Sequence, residues 1–507
     1  MDTRAVTHSE PTATAISGAQ KSSCVDPEPS ETVSERINTL LHSSGPGYIL
    51  SLCPSEHYYI QSPLVFAAAD QEISTAGYPL GHQRASLIVS GPDHTVAVDG
   101  TRPGCSGAML RNIQINGNRG NAPPMPGGAN VVFGGVNENQ TIQYVRSYDP
   151  RSWSCIHLTE GDLSCRNVTV QNNDIGPCGA ELLDEWADGI SVSCQNSVVR
   201  NNLVMNPTDG GIVVFGSPGT QVYNNTIWVT NQTLLGGINM VDYLPWDGNY
   251  TDTVVRDNTI IGGYADAGGG TSGTSTVIKI GIAIGPRTWF GDEYLDNITF
   301  AGTVTGNRLS GAFVYGIAMS SAENFTVQDN VMFDNYTFIG GSGPSCPFNG
   351  DAVPAPAAFI YDTTTSTVSV QSDFQLVTDG DSLTCTLPPD GGDYWPYGKS
   401  PTLSLENLIS SNTSTCDIST SESCLVAPPP NNPFWSLDRA AYALVLAAVA
   451  WYLWTLVLKR LRRRRLSRTG RHKRTRTYVG QIPITTEVLG KGIPVRQEPH
   501  VGKRRVF

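Results

Sequence analysis

Two aspartates with similar neighbours lie 21 residues apart in the chain, Asp188 in WADGIS and Asp209 in TDGGIV. Two carboxylates held at a fixed separation can act as a catalytic pair, one as general acid and one as general base. An aspartate followed by glycine is also typical of a tight turn. The residues alone leave both interpretations open, and the choice depends on the elements that position them.

Other residues in the same region could contact a ligand. Asp184 and Glu185 lie close to Asp188, and Asp242 lies close to Asp247. A lyase reaction would use such acids to hold calcium, but neither cluster has the spacing of a known calcium loop, so no metal site is predicted and calcium stays an alternative. Tryptophans near predicted turns could stack on sugar rings or pack within the protein. These are Trp153, Trp186, Trp228, Trp246 and Trp289.

The chain repeats itself, which indicates a repeat architecture. The pattern V-x-[N/D/G]-N-x-[apolar] occurs six times, with gaps of 29, 23, 33, 49 and 23 residues between its final asparagines. The unit is therefore near 23 residues, with insertions. The asparagines are Asn173, Asn202, Asn225, Asn258, Asn307 and Asn330.

A second column of Gly-Ile pairs interleaves with the first, and each isoleucine is followed two residues later by another apolar side chain. A period of two predicts strands that bury this parity. The buried column is Ile190, Ile212, Ile238, Ile282 and Ile317. The outward column contains no carboxylate, so a catalytic site would have to be built from turns. It consists of Ser191, Val213, Asn239, Ala283 and Ala318.

A unit of this length with two or three short strands is one coil of a parallel β-helix, an all-β solenoid. Coils stacked about 4.8 Å apart pair strand on strand and place like side chains above one another. The asparagine column would then form a ladder of side-chain amides. Residues 32–44, with apolar Val33, Ile37, Leu40 and Leu41 at helical spacing, are predicted to be a capping helix. Residues 45–400 are assigned to the coils and their C-terminal closure.

The flanking segments have a different composition. Residues 1–31 are predicted to be disordered, residues 401–436 to form a Ser/Thr/Pro-rich stalk, residues 437–458 to form a transmembrane helix, and residues 459–507 to form a basic disordered tail. Residues 440–458 contain 19 residues without a charge, a helix length of roughly 28 Å. The tail has a net charge of +14 and the preceding residues one of −26.

The charge distribution predicts a cytoplasmic tail and an extracytoplasmic β-helix domain, in the secretory pathway, at the plasma membrane or at the cell surface. Residues 1–30 contain no apolar run that could be a signal peptide. Either a segment precedes them, which we favour, or the body stays in the cytosol. Ten of the eleven cysteines lie between Cys53 and Cys424 without zinc-site spacing, which favours disulfides whose pairing stays open. Nine N-x-S/T sequons decide little.

The segments GPGYILSLCPSEHYYIQSPLVF, NNDIGPCG, EWADGIS, TDGGIVVFGSPGT and GDYWPYG, together with the V-x-N-N-x-I coils, resemble right-handed parallel β-helix proteins of the pectin-lyase-like superfamily. Within it, the chain resembles a group of fungal members without an assigned activity. The resemblance covers roughly residues 32–400. It is specific for the fold and does not define an activity.

The resemblance also gives the aspartates an implied role. Asp188 and Asp209 correspond to the NTDG and DD segments of polygalacturonases, whose carboxylates act as general acid and base on a glycosidic bond. Lys279 in VIKIG corresponds to the RIK segment of that family. Two departures weaken the implication, since Gly210 replaces the second aspartate of the DD pair and the family's Gly-His-Gly motif is absent from the sequence.

We therefore expect a membrane-anchored β-helix protein that acts on or binds cell-wall or surface polysaccharide. If it is an enzyme, it is a hydrolase or lyase with Asp188, Asp209 and Lys279 as catalytic candidates. The alternative is a non-catalytic structural or carbohydrate-binding surface protein. A monomer without a nucleic-acid partner is expected. The substrate-binding candidates are Trp186, Asp242, Trp246, Arg287 and Trp289.

Overall fold

The computed structural model describes residues 24–121, 124–125, 127–180, 186–264, 276–291, 297–338, 355, 357–378 and 383. They contain 32 short strands, numbered β1–β32 along the chain, and two α-helices, α1 (Val33–Ser44) and α2 (Arg287–Phe290). Two 3-10 helices span Ser30–Thr32 and Gly81–Gln83. The strands pair in parallel from coil to coil, which confirms the predicted parallel β-helix.

The strands form three faces, and each coil contributes a short strand to each face. The first face contains β1 (Ile49–Leu52), β4 (Glu72–Thr75), β7 (Met109–Arg111), β10 (Thr141–Gln143), β13 (Thr169–Gln171), β16 (Val198–Arg200), β19 (Gln221–Tyr223), β22 (Val254–Arg256), β25 (Thr299–Phe300), β26 (Thr303–Thr305), β28 (Ala322–Gln328) and β31 (Thr367–Val370).

The other two faces are joined by one long strand, β27 (Arg308–Met319), which pairs on both. The second face also contains β2 (His57–Ile60), β5 (Ala85–Val89), β8 (Ile113–Asn116), β11 (Arg146–Tyr148), β14 (Asp174–Ile175), β17 (Leu203–Met205), β20 (Thr226–Trp228), β23 (Thr259–Ile261) and β29 (Val331–Phe338). The third face also contains β3 (Leu64–Val65), β6 (Val98–Asp99), β9 (Val131–Gly134), β12 (Ser154–Thr159), β15 (Asp188–Val192), β18 (Gly210–Val214), β21 (Leu234–Met240), β24 (Ile278–Ile284), β30 (Ala357–Asp362) and β32 (Gln375–Val377).

The predicted isoleucine column lines the inside of the third face. The backbone register aligns its five members from coil to coil, and all are fully buried in one continuous apolar core. At the open end of this core, α1 buries Val33, Ile37 and Leu41, and Leu40 packs against the core from a partly buried position. Burial of these side chains is the main favourable term in the folding free energy.

The predicted asparagine ladder is present without interruption. Each Nδ2 donates to the Oδ1 of the next member, from Asn173 to Asn202, Asn225, Asn258, Asn307 and Asn330, at distances of 2.9 to 3.0 Å. The same oxygens accept backbone N–H groups, as Asn225 Oδ1 does from Asn202. The ladder therefore satisfies buried polar groups at one corner of the stack.

The outer side of the third face differs from the expectation. Ser191, Val213, Asn239, Ala283 and Ala318 point away from the inner core but are all buried. A second apolar cluster covers this side, and it includes Leu235, Ile280, Tyr315 and Leu383. The third face is therefore packed on both sides, which explains why β18, β21 and β24 are buried at every residue.

Three disulfides connect cysteines that the sequence had left unpaired: Cys24–Cys53, Cys155–Cys178 and Cys165–Cys194. Cys105 is a buried thiol. The other four cysteines lie outside the described residues, as do most of the segment 1–31, the stalk, the transmembrane segment 437–458 and the basic tail. None of the helices in the described part of the chain is long and apolar enough to cross a membrane.

Candidate active site: a cluster of three aspartates

Asp188 is a strand residue and not a turn residue, which corrects the turn interpretation for this position. It is the first residue of β15, and it is 6 % exposed. Its Oδ1 accepts a hydrogen bond from the Gly210 N–H at 2.8 Å, and its Oδ2 accepts one from the Ser191 hydroxyl at 2.8 Å. The hydroxyl of Ser154 lies 2.9 Å from that of Ser191. Neighbouring coils therefore hold the Asp188 carboxylate in one orientation.

Gly210 occupies the position of the second aspartate in the DD pair of polygalacturonases. The local packing requires a glycine there. A Cβ on Gly210 would lie 2.2 Å from the Val213 side chain and 2.9 Å from the Asp188 carboxylate. Contacts this short exclude a side chain. Gly210 lies on the coil that follows Asp188. The Asp188 carboxylate thus occupies the space that a side chain at position 210 would need.

The third carboxylate of the cluster comes from the next coil. Asp209 directly precedes β18, and Asp242 follows β21 by two residues. Both side chains are half-buried. The negative charges of Asp188 and Asp242 both raise the pKa of Asp209, and the charge of Asp188 raises the pKa of Asp242. The sequence suggests Asp242 as a substrate contact or, with Asp247, as part of an acidic cluster, whereas the structure couples its charge to the two candidate catalytic residues.

The surroundings of the cluster favour protonated carboxyls at neutral pH. Burial raises the pKa of Asp188 to about 7, although its two hydrogen bonds oppose this rise. Burial, followed by the charge of Asp188, raises the pKa of Asp242 to about 8. Burial and the charges of both neighbours raise the pKa of Asp209 well above its ordinary value. All three carboxyls therefore hold their protons to higher pH than an exposed aspartate does.

Lys279 is placed on β24 and is fully buried. The register aligns Gly210 with Gly236 and Gly236 with Ile280, so Lys279 lies two coils beyond Asp209 in the same row. Two coils correspond to about 10 Å. Lys279 is thus a buried component of the outer side of the third face.

The predicted aromatic contacts lie near the cluster in sequence but have structural roles. Trp246 follows Asp242 by four residues, and its indole N–H donates to the Ser193 carbonyl at 2.8 Å. Trp186 and Trp289 pack against the outer apolar cluster and stay partly exposed. Arg287 is the first residue of α2 and is half-buried. Trp186 and Trp289 therefore lie beside the outer side of the third face, whereas Trp246 and Arg287 lie in the segments that follow β21 and β24.

Sequence reasoning missed two polar residues beside the cluster, Ser191 and Asn239. Ser191 bonds to Asp188, and Asn239 is 2 % exposed with an Oδ1 that has no hydrogen-bond partner. Its Nδ2 would lie 3.0 Å from a Cβ on Gly210. Strand alternation identifies both as outward residues, in a column noted above only for its lack of carboxylates. Both side chains are buried beside the cluster, which makes them part of the site.

The described residues offer no calcium site. Among the described residues, no group of three His, Cys, Asp or Glu side chains is arranged to hold a metal ion. Asp184 and Glu185, which belonged to the proposed acidic cluster, lie outside the described residues.

A family model described as "Right handed beta helix region" matches residues 129–283, which include all three aspartates. Together with the parallel coils, this match decides the fold. The domain is a right-handed parallel β-helix. No curated protein matches the chain in sequence.

Solved structures with a similar fold include an alginate lyase from Paenibacillus sp., which is 13 % identical with a TM-score of 0.40 over 60 % of this chain and 96 % of that chain. The surface adhesin PfbA of Streptococcus pneumoniae is 13 % identical with a TM-score of 0.39 over 68 % and 86 %. An α-1,3-glucanase from Streptomyces thermodiastaticus is 14 % identical with a TM-score of 0.33 over 68 % and 66 %. A shared fold does not by itself assign a function.

Proposed function

We propose that the β-helix domain hydrolyses glycosidic bonds of a polysaccharide, with Asp209 as general acid and Asp242 as general base. The observation that carries this proposal is the cluster of three carboxylates, in which burial raises every pKa and the charge of Asp188 further raises those of Asp209 and Asp242. Groups with perturbed pKa values that share one site are typical of acid–base catalysis. The fold alone would support a binding protein equally well.

The roles follow from exposure and charge. Asp209 and Asp242 are half-buried and can reach a ligand, whereas Asp188 is buried beneath two hydrogen bonds. Asp209 donates its proton to the glycosidic oxygen as the bond from that oxygen to the anomeric carbon breaks. Asp242 accepts a proton from the water whose oxygen attacks the anomeric carbon. The burial of Asp209 and the negative charge of ionised Asp188 both favour the proton on Asp209. This revises the predicted pair, in which Asp188 itself was a catalyst.

A pH–rate profile on a panel of polysaccharides tests the proposal. The purified chain is incubated with polygalacturonate, alginate, α-glucan and β-glucan, and new reducing ends are measured between about pH 5 and pH 10. The rate should rise through about pH 8, as Asp242 loses its proton. It should fall at higher pH, as Asp209 is deprotonated. Unsaturated products that absorb in the ultraviolet would instead indicate a lyase, and absence of cleavage on every polymer would favour the binding alternative.

We further propose that residues 437–458 anchor the protein in a membrane, with the β-helix domain on the extracytoplasmic side. The support is the uncharged run 440–458 and the six basic residues among the seven that follow it. The full chain should stay with the membrane fraction during alkaline extraction, whereas a chain ending before residue 437 should be released. Equal release of both forms would exclude the anchor.

A further inference from the structure

The first face of the β-helix has an outer side that takes no part in the aspartate cluster. Six side chains on it lie in register on six consecutive strands, from β10 to β26, and we call them the polar row. They are Gln143, Gln171, Arg200, Tyr223, Arg256 and Thr305. Successive members are about 4.8 Å apart, so the polar row extends over roughly 24 Å along the axis. All six side chains are partly exposed.

The side chains of the polar row hold one another in place. Gln171 Nε2 donates to Gln143 Oε1 at 2.9 Å, and Arg200 Nε donates to Gln171 Oε1 at 2.9 Å. Arg200 also donates to the Tyr223 hydroxyl at 3.1 Å, and the guanidinium carbon of Arg256 lies 4.3 Å from the centre of the Tyr223 ring. Two of the five N–H groups of Arg200 are used in these bonds. Both arginines are thus oriented before any ligand arrives.

The charge of the polar row is opposite to that of the chain. The chain has a net charge of −12, yet none of the outward residues on the six strands is acidic. Arg256 donates to Asp257 in the following turn at 2.7 Å, whereas the described residues offer Arg200 no carboxylate partner. A row whose charged side chains are both basic, with one of them not paired to a described carboxylate, favours a negatively charged ligand.

We propose that the polar row binds an extended polysaccharide that carries carboxylates and runs along the helix axis. The planar guanidinium groups of Arg200 and Arg256 can each bind a carboxylate through two parallel hydrogen bonds. The amides of Gln143 and Gln171 and the hydroxyls of Tyr223 and Thr305 can bind sugar hydroxyls. The sugar units of a polysaccharide repeat along its length, and the side chains of the polar row repeat along the helix axis. This surface lies on another face than the aspartates, so the proposal does not depend on their being catalytic.

Binding of the full-length chain to polygalacturonate tests the proposal, with the same polymer after reduction of its carboxyl groups as the neutral probe. The measurement is made in an Asp209→Asn background, so that the polymer is not cleaved. Replacing Arg200 and Arg256 together by Ala should weaken binding at least about tenfold. Arg308→Ala is the matched control, because this exposed arginine lies over the Phe333 ring on the second face. It should leave binding unchanged.

The double variant R200K/R256K retains both positive charges but lacks the guanidinium groups. It therefore separates the contribution of charge from that of the guanidinium hydrogen bonds. Binding weaker than that of the parent chain would show that the guanidinium fork contributes, and far-ultraviolet circular dichroism establishes that each variant is folded. Binding should also weaken in about 0.5 M salt, where charges are screened over a few ångströms. The proposal is overturned if the R200A/R256A variant binds like its parent, if R308A weakens binding equally, or if the carboxyl-reduced polymer binds as tightly.

Discussion

Asp209→Asn is expected to lower the rate of polysaccharide cleavage by about 10²–10⁴-fold, because an amide cannot donate the proton that the leaving oxygen requires. Asparagine has almost the same shape, and Asp209 is half-buried, so the fold should be retained. The measurement is the release of reducing ends at the pH optimum. Asp252→Asn is the matched control, since Asp252 is an exposed residue with a left-handed φ of 59° outside the cluster. Its rate should equal that of the unmodified protein.

Asp188→Asn should produce a different result, which separates the two roles. The amide keeps an oxygen for the Gly210 N–H but removes the charge that raises the pKa of Asp209 and Asp242. Both pKa values should fall, so the whole pH–rate profile should move to lower pH while activity is partly retained. An unshifted profile would show that Asp188 does not set the protonation of its neighbours. Full activity of Asp209→Asn would remove Asp209 as the acid.

The inner architecture could be predicted from the sequence because the same physical requirement recurs in every coil. Asn202, Asn225 and Asn258 each occupy the same corner of successive coils, and Ile212 and Ile238 occupy equivalent positions in the core. The same residue type therefore recurs at regular intervals in the sequence. Coil length also indicates which cysteines can pair. Cys165 and Cys194 are 29 residues apart, the same separation as Asn173 and Asn202 on the same two coils. That coincidence could have predicted the disulfide.

The site was less predictable because it depends on contacts outside the repeat. Asp242 lies in a loop, and no periodic signal relates it to Asp188 or Asp209. Alternation identified the outward residues correctly but could not show that Trp186, Trp289 and Leu383 pack with them, because these three residues lie outside the repeating strands. Sequence could therefore propose Asp188 and Asp209 as a pair and Asp242 as a substrate contact, and it could not assign their protonation.

Asn225→Leu is expected to lower the free energy of unfolding by about 3–5 kcal/mol, because it leaves buried donors without acceptors. Asn225 is 1 % exposed, and its Oδ1 accepts from both the backbone N–H and the Nδ2 of Asn202. Its own Nδ2 donates to Val199 O and to Asn258 Oδ1. Leucine has a similar volume and forms none of these bonds. The change is measured as the shift in the midpoint of urea unfolding, followed by circular dichroism.

Asn173→Leu distinguishes a loss of the ladder from the general effect of a core substitution. Asn173 is equally buried but begins the ladder, so its Oδ1 accepts only the Val145 N–H. Its replacement leaves one N–H group unpaired in place of two, and the midpoint should shift by a smaller amount. Because both variants introduce the same side chain at equal burial, packing and transfer terms nearly cancel in the comparison. Equal shifts would show that the second N–H group left unpaired by Asn225→Leu costs no stability. A larger shift for Asn225→Leu would show that the amide bond from Asn202 to Asn225 stabilises the stack.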